Sequence, residues 1–250
     1  MNQAPKEISY AHSATTRAGR ALIRALENTT GRIRMIRRAE GYEQEVAAGA
    51  DFWDVMIERY GLSLEVMGGS LSNIPADGPL LTIANHPYGI LDGLMMGHLL
   101  SRSRGDFRVL ANAVFSRAED IDRLILPINF DQTKEAMAQN VSTRKETLRY
   151  LAGGGAVGIF PGGTVSTSAK PFGAPMDPAW RTFTAKLVAR SQAAVLPIYF
   201  VGANSRLFQL ASHAHPTLRL ALLIKEFRRR VDEPVRVVVR NGGLPVVGAR

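Results

Sequence analysis

The sequence predicts an α/β fold, with a mostly parallel central sheet flanked by helices and a basic, amphipathic helical segment at the N-terminus. Three observations lead to this prediction. Beyond residue 50, short apolar runs alternate with longer helical patterns, as in sheets whose parallel strands are joined by helices. The 250 residues, 46% of them hydrophobic, can bury the core of one such domain. Before residue 51 the pattern is helical and rich in arginine, which divides the chain into a segment at 1–50 and a domain at 51–250.

The N-terminal segment carries over half of the net charge. Residues 1–40 hold eight basic and three acidic side chains, whereas the whole chain has a net charge of +9. From Thr15 to Arg38 a helical wheel gathers the aliphatic side chains Leu22, Leu26, Ile33 and Ile36 in one sector and places five arginines opposite: Arg17, Arg20, Arg24, Arg34 and Arg38. Thr29-Thr30-Gly31 predicts a break into two helices. The pattern fits an interfacial helix on an anionic membrane, and equally a helix that packs its apolar side on the domain.

Seven strands and five helices are predicted in the remainder, with no internal repeat and no low-complexity linker. The strands are short apolar runs, at Ser63–Val66, Leu80–Ala84, Arg108–Ala111, Leu124–Ile128, Ala156–Phe160, Val195–Phe200 and Val235–Val239. The helices lie between them, at Leu91–Arg102, Thr133–Leu151, Ala179–Gln192, Arg206–Ser212 and Thr217–Arg230.

The composition excludes several classes of function. With no cysteine, the chain has no disulfide, no thiolate zinc site and no cysteine nucleophile. A pI near 10.2 favours an anionic partner, but residues 11–40 contain no aromatic side chain to stack on bases, so we expect a membrane surface and no nucleic acid. Apolar runs fall short of the roughly 18 residues that span a bilayer, and charges interrupt Met1–Arg20, so neither a transmembrane helix nor a signal peptide is expected.

The sequence contains no nucleotide-binding or metal-binding motif in its proper context. Gly153–Gly158 spells the dinucleotide fingerprint but precedes its strand, so a helix cap and turn is the better interpretation. No phosphate-binding loop, zinc-protease motif or serine-hydrolase elbow is present. His98, His213 and His215 lack the spacing of metal ligands, so no metal site is predicted.

One constellation carries chemistry: Asn85-His86-Pro87-Tyr88-Gly89, followed by Asp92, directly after the apolar strand at residues 80–84. Reactive loops of open sheets occupy such strand-to-helix turns. On a straight helix His86 and Asp92 would point about 120° apart, so the turn must curl for them to meet. If they meet, the carboxylate fixes the imidazole tautomer and leaves the other ring nitrogen as a general base. The alternative is that Asp92 caps a helix and His86 merely packs.

The order of these blocks resembles the glycerophospholipid acyltransferase superfamily, of the lysophosphatidic acid acyltransferase type. Its first block is Asn-His followed by Asp, and its third, Phe-Pro-Glu-Gly-Thr-Arg-Ser, matches Phe160-Pro161-Gly162-Gly163-Thr164-Val165-Ser166. Weaker matches stand at residues 125–129 for the second block and 194–198 for the fourth. Five residues separate His86 from Asp92, one more than is usual, which is similar to the hemolysin-like and ornithine-lipid acyltransferase branch.

The departures from the family pattern concern charged residues. Gly162 and Val165 stand in place of the Glu and Arg of the third block, and Asn129-Phe130-Asp131 replace the usual Arg of the second. Such arginines suit a phosphate group, so their absence favours an acceptor whose head group is not a phosphate monoester. Lys170, Arg117 and Arg123 are candidates to replace them.

The resemblance implies an enzyme that moves a fatty acyl group from acyl carrier protein or CoA to the hydroxyl of a lyso-lipid, here a lyso-aminolipid. It implies His86 as base and Asp92 as its partner, with no metal and no cofactor besides the thioester co-substrate. Candidate substrate-binding residues, including backbone oxyanion donors, are Asn85, Tyr88, Gly89, Phe160, Pro161, Gly162, Gly163, Thr164, Ser166 and Lys170. The expected location is peripheral, on the cytoplasmic face of a bacterial inner membrane. The alternatives are an enzyme that makes phosphatidic acid and a non-catalytic membrane-surface protein of this fold.

Overall fold

The computed structural model describes residues 9–11, 14, 16–112, 122–129, 133–180 and 182–240. Arg117 and the pair Phe130-Asp131 lie outside the described residues. The helices, in chain order, are α1 Arg17–Thr30, α2 Arg32–Ala39, α3 Tyr42–Ala47, α4 Phe52–Arg59, α5 Ile90–Arg104, α6 Lys134–Ala152, α7 Thr182–Ser191, α8 Arg206–Ala214 and α9 Pro216–Arg228. The strands are β1 Ser63–Gly69, β2 Leu80–Ala84, β3 Arg108–Asn112, β4 Ile125–Ile128, β5 Ala156–Ile159, β6 Thr167–Ser168, β7 Pro175–Met176, β8 Ala194–Phe200 and β9 Pro234–Val239.

Seven of the strands form one sheet in the order β1-β9-β8-β2-β5-β3-β4. Every neighbouring pair is parallel except β8 and β9, and helices connect β2 to β3, β4 to β5 and β5 to β8, so the predicted fold class is confirmed. The inner strand β2 is buried along its whole length, because both of its faces are covered by apolar side chains. Strands β8, β2 and β5 are neighbours, so the loops after their carboxyl ends meet at one edge of the sheet, where open sheets bind ligands.

All seven predicted strands are present; β2 has the predicted bounds, and the ends of the others are shifted. The predicted helix at Ala179–Gln192 starts too early, since α7 begins only at Thr182. The reason is a small antiparallel hairpin, β6 with β7, which the sequence analysis missed and which keeps the chain extended before α7. Helices α3 and α4 were also missed.

The N-terminal helices pack on the domain with a different face from the predicted one. Ile23 on α1 and Met35 on α2 are fully buried, whereas Leu22 and Ile33, from the predicted apolar sector, are each 46% exposed. α1 lies along α9, where Ile23 contacts Ala221. The predicted break is confirmed, because Gly31 separates the two helices with a φ of 135°.

None of the helices in the described part of the chain is long and apolar enough to cross a membrane.

Candidate active site

The side chains of His86 and Asp92 meet at the carboxyl end of β2. His86 Nδ1 lies 3.0 Å from Asp92 Oδ2. The Asp92 side chain is fully buried, whereas 18% of the His86 side chain is exposed, so the imidazole lies between the buried carboxylate and the surface. The ring is turned so that the Nδ1–H bond is not aligned with Oδ2. Catalytic hydrogen bonds often tighten only once substrate is bound.

A tight turn brings the pair together. Gly89 adopts a φ of 95°, which a residue with a Cβ atom rarely adopts, and α5 begins directly after it. His86 therefore lies before α5, so its direction relative to Asp92 is not fixed at the roughly 120° that a straight helix would impose. Asp92 Oδ2 also accepts hydrogen bonds from the N–H groups of Tyr88 at 2.8 Å and Gly89 at 2.9 Å. Asp92 thus caps the first turn of α5 and contacts His86, so the two interpretations of this residue coexist.

The electrostatics of Asp92 follow from its depth. Burial raises the pKa of the Asp92 carboxyl, and His86 and the two backbone N–H groups offset part of that effect by stabilising the carboxylate. The two N–H groups hold Oδ2, and His86 lies within hydrogen-bonding distance of it, so we expect the position of the carboxyl group to be rigid.

The loop after β5 covers the imidazole. The Phe160 ring stacks on the His86 ring, with 4.3 Å between centroids and 27° between planes. Gly163 has a φ of 68° and donates to the Phe160 carbonyl, which closes a turn. Within the described residues, the N–H groups of Gly162 and Thr164 donate to no protein acceptor. They are therefore the candidate donors to an oxyanion at this loop.

Three of the predicted substrate-binding residues are engaged inside the protein. The Asn85 amide exchanges two hydrogen bonds with the Phe200 main chain, at 2.9 and 2.7 Å, and so joins the ends of β2 and β8. The Tyr88 hydroxyl donates to the Val201 carbonyl at 2.6 Å. The hydroxyl of Ser166 donates to Asp177 Oδ1, and its N–H donates to the His86 carbonyl at 2.8 Å. These contacts shape the site, and Pro161 is buried beneath the same loop.

Asp177 is a site residue that sequence reasoning missed. Its Oδ1 accepts from the His86 N–H at 3.1 Å as well as from the Ser166 hydroxyl. It follows β7, so the small hairpin is what brings this carboxylate to the first and third blocks. No motif marks it, because its partners lie 91 and 11 residues away in the chain.

The two described candidates to replace the missing arginines, Lys170 and Arg123, do not lie together at His86. Lys170 is exposed in the turn between β6 and β7. Arg123 precedes β4 and therefore lies at the edge of the parallel sheet opposite His86, so this candidate is not part of the site. Instead, Arg219 of α9 reaches the third block, where its Nη2 donates to Thr164 Oγ1 at 3.0 Å. In the described ranges no cluster of three or more metal-ligating side chains occurs.

Comparison with known proteins places this site in context. A sequence model of the family described as Acyltransferase matches residues 21–239. Two lyso-glycine lipid O-acyltransferases are similar to the chain: that of Phocaeicola vulgatus is 28% identical over 64% of this chain, and that of Bacteroides thetaiotaomicron is 27% identical over 66%. The aligned parts cover 54% and 58% of those relatives, so the chain spans little more than half of their length.

Among solved structures, a 1-acyl-sn-glycerophosphate (LPA) acyltransferase from Thermotoga maritima aligns with 92% of this chain and 88% of its own. The identity is 15% and the TM-score 0.46, a superposition too loose to carry an argument.

Proposed function

This chain belongs to the Acyltransferase family, and from that premise we propose that it moves a fatty acyl group from a thioester to the hydroxyl of a lyso-lipid. The donor is acyl carrier protein or CoA, and the acceptor is a lyso-aminolipid. The observation that carries the proposal is the buried Asp92 carboxylate 3.0 Å from a partly exposed His86, beside a loop with unused N–H donors.

The proposed step is a direct transfer with His86 as proton carrier. Asp92 faces Nδ1, which leaves Nε2 to take the proton of the acceptor hydroxyl as its oxygen attacks the thioester carbonyl carbon. The N–H groups of Gly162 and Thr164 stabilise the negative oxygen of the tetrahedral intermediate. The carbon–sulfur bond then breaks, and His86 returns the proton to the leaving thiolate. The products are an oxygen ester and a free thiol, and no metal or further cofactor takes part.

The choice of a lyso-aminolipid rests on the two relatives named above, which are lyso-glycine lipid O-acyltransferases. Val165 replaces the arginine of the third block, but Arg219 of α9 supplies a guanidinium there. The head group is therefore assigned from the relatives and not from the missing arginine.

A purified-protein assay tests the function. Lyso-glycine lipid, lyso-ornithine lipid and lysophosphatidic acid are each offered with acyl carrier protein or CoA thioesters, and esters are measured by mass spectrometry. We expect the lyso-aminolipids to be acylated faster. Faster acylation of lysophosphatidic acid would make phosphatidic acid the product, and no acylation of any acceptor would leave the non-catalytic interpretation.

Peripheral binding to an anionic membrane, at the cytoplasmic face of the inner membrane of a bacterium, is the second part of the proposal. Exposed Leu22 and Ile33 on α1 and α2 lie among exposed arginines, which is the composition of an interfacial surface. Each basic side chain near such a surface contributes roughly 1 kcal/mol of binding free energy.

Charge-neutralising variants test the membrane surface without removing the packed helices. Four changes to Gln, at Arg17, Arg20, Arg34 and Arg37, should abolish flotation with phosphatidylglycerol vesicles. Four control changes to Gln leave the net charge equally reduced and flotation intact: Arg102, Lys134, Lys145 and Arg149. Equal loss in both variants would show that only net charge matters.

A further inference from the structure

The guanidinium of Arg219 lies on the third block without a counter-charge. Its Nη2 donates to the Val165 carbonyl at 2.6 Å and to Thr164 Oγ1 at 3.0 Å, and its Nη1 donates to Thr167 Oγ1. All of these acceptors are neutral oxygens. No carboxylate in the described ranges forms an ion pair with Arg219, although its side chain is half-buried and its pKa is lowered by that burial.

A half-buried cation without an anion raises the free energy of the folded protein, and an arriving anion can recover that cost. The face of the guanidinium is held 5.3 Å from the Phe208 ring, which fixes its plane. Three of its five N–H donors are used by the protein, including both on Nη2, so a fixed cation with two free donors, Nε–H and one N–H of Nη1, lies at the third block.

Arg219 is one peptide group away from the catalytic histidine. The carbonyl of Val165 accepts from Arg219, and the N–H of the same peptide bond, that of Ser166, donates to the His86 carbonyl at 2.8 Å. The third block thus links Arg219 to the main chain of His86.

We propose that Arg219 binds the carboxylate of the acceptor's amino-acid head group while the acceptor hydroxyl lies at His86. This deepens the proposed function and rests on it. Two other sources of an anion are the donor's phosphate, which the whole pantetheine arm separates from the thioester, and the phosphate of lysophosphatidic acid, which the acceptor comparison under the proposed function distinguishes. Arg219 thus supplies, from α9, a cation to the block in which Val165 replaces arginine, and its free N–H donors suit a charge-assisted hydrogen bond to a carboxylate.

Two matched acceptors test the assignment: a 3-hydroxyacyl chain amide-linked to glycine, and the primary amide of the same compound, which lacks the charge. The readout is the ratio of kcat/KM for acid over amide, because a general loss of activity cancels in it. We expect the wild type to prefer the acid by about ten- to a hundredfold, the range of a charge-assisted hydrogen-bonded pair. Arg219→Gln should bring the ratio close to one by slowing only the acid, and Arg219→Lys should retain part of it.

The control is Lys145→Gln, which removes a cation from exposed α6 and should leave the ratio at the wild-type value. A wild-type ratio near one would overturn the assignment, as would an unchanged ratio in Arg219→Gln, since Arg219 would then only brace the loop. A raised KM for the acyl donor with an unchanged acceptor ratio would assign Arg219 to the donor phosphate instead.

Failure of the proposed function is a separate outcome. If the wild type acylates neither compound, calorimetry of both compounds on the wild type and on Arg219→Gln still decides the point. Tighter binding of the acid that disappears in Arg219→Gln supports the carboxylate site, and equal binding overturns it.

Discussion

Replacing Asp177 by alanine should loosen the contact between His86 and the loop after β5 and slow acyl transfer. The Oδ1 atom of Asp177 accepts from the His86 N–H at 3.1 Å and from the Ser166 hydroxyl, so one carboxylate oxygen joins the first and third blocks. Alanine leaves both donors without a partner.

The magnitude follows from those two bonds. A hydrogen bond to a charged group contributes about 1.5–3 kcal/mol to stability. Because the two donors share one oxygen and water reaches part of the site, we expect a loss of about 2–4 kcal/mol in the free energy of unfolding. For a chain of this size that lowers the melting temperature by roughly 5–15 °C. Displacing the His86 main chain by about 1 Å should also lower kcat/KM about a hundredfold.

Thermal unfolding and acyl transfer are measured on Asp177→Ala, Asp177→Asn and a double-mutant cycle with Ser166→Ala. Asparagine keeps the Oδ1 acceptor, so Asp177→Asn should lose about half as much unfolding free energy as Asp177→Ala. Ser166→Ala and Asp177→Ala should be less than additive, because they share a bond. The matched control is Asp77→Ala, which removes an exposed carboxylate with no side-chain partner among the described residues and should melt like the wild type. Additive effects, or an unchanged melting temperature for Asp177→Ala, would refute this reasoning.

Three further variants make separate predictions. Asp92→Asn removes a buried carboxyl group whose pKa is raised on folding. The free energy of unfolding of the wild type should therefore fall relative to that of the variant as pH rises from about 4 through the raised pKa. Melting curves over this pH range would contradict the prediction if the difference between the two proteins stayed constant. Phe160→Ala removes the ring stacked on His86 and should lower kcat about tenfold with a smaller change in melting temperature, both absent in Phe160→Tyr. Gly97→Ala places a Cβ atom 2.3 Å from the Trp53 ring and should lower the free energy of unfolding, measured with denaturant, by about 1–3 kcal/mol. An unfolding free energy equal to that of the wild type would mean that α4 and α5 move apart without cost.

Periodicity located the elements whose apolar pattern is long and uninterrupted. β2 is five buried residues in the predicted place, and α6 differs from its prediction by one residue at each end. The hairpin of β6 and β7 has two-residue strands, too short for any periodic signal, and it was missed. Asp177 was missed together with the hairpin, since only the tertiary structure brings its carboxylate to His86.

The N-terminal face was misread because polar groups lie on its buried side. Glu27 is fully buried on α1, where it accepts from Ser9 Oγ at 2.6 Å and from the Tyr10 N–H at 2.7 Å. A helical wheel places a glutamate on the solvent side of a helix. The predicted apolar sector was therefore centred near Leu22 and not on the face of Ile23 and Glu27. The pairing of His86 with Asp92 was predictable, because the required turn needs Gly89 and the sequence supplies it.

The central claim is that His86 acts as the base, and the single-turnover rate of ester formation tests it most directly. With donor and acceptor saturating, His86→Ala should lose about a thousandfold in that rate while its melting temperature stays within a few degrees of the wild type. The chain offers a matched control, because His98 Nδ1 also lies 3.0 Å from a carboxylate, that of Asp54, away from the loop after β5. His98→Ala should transfer at the wild-type rate; His86→Ala retaining even about a tenth of that rate would contradict the account.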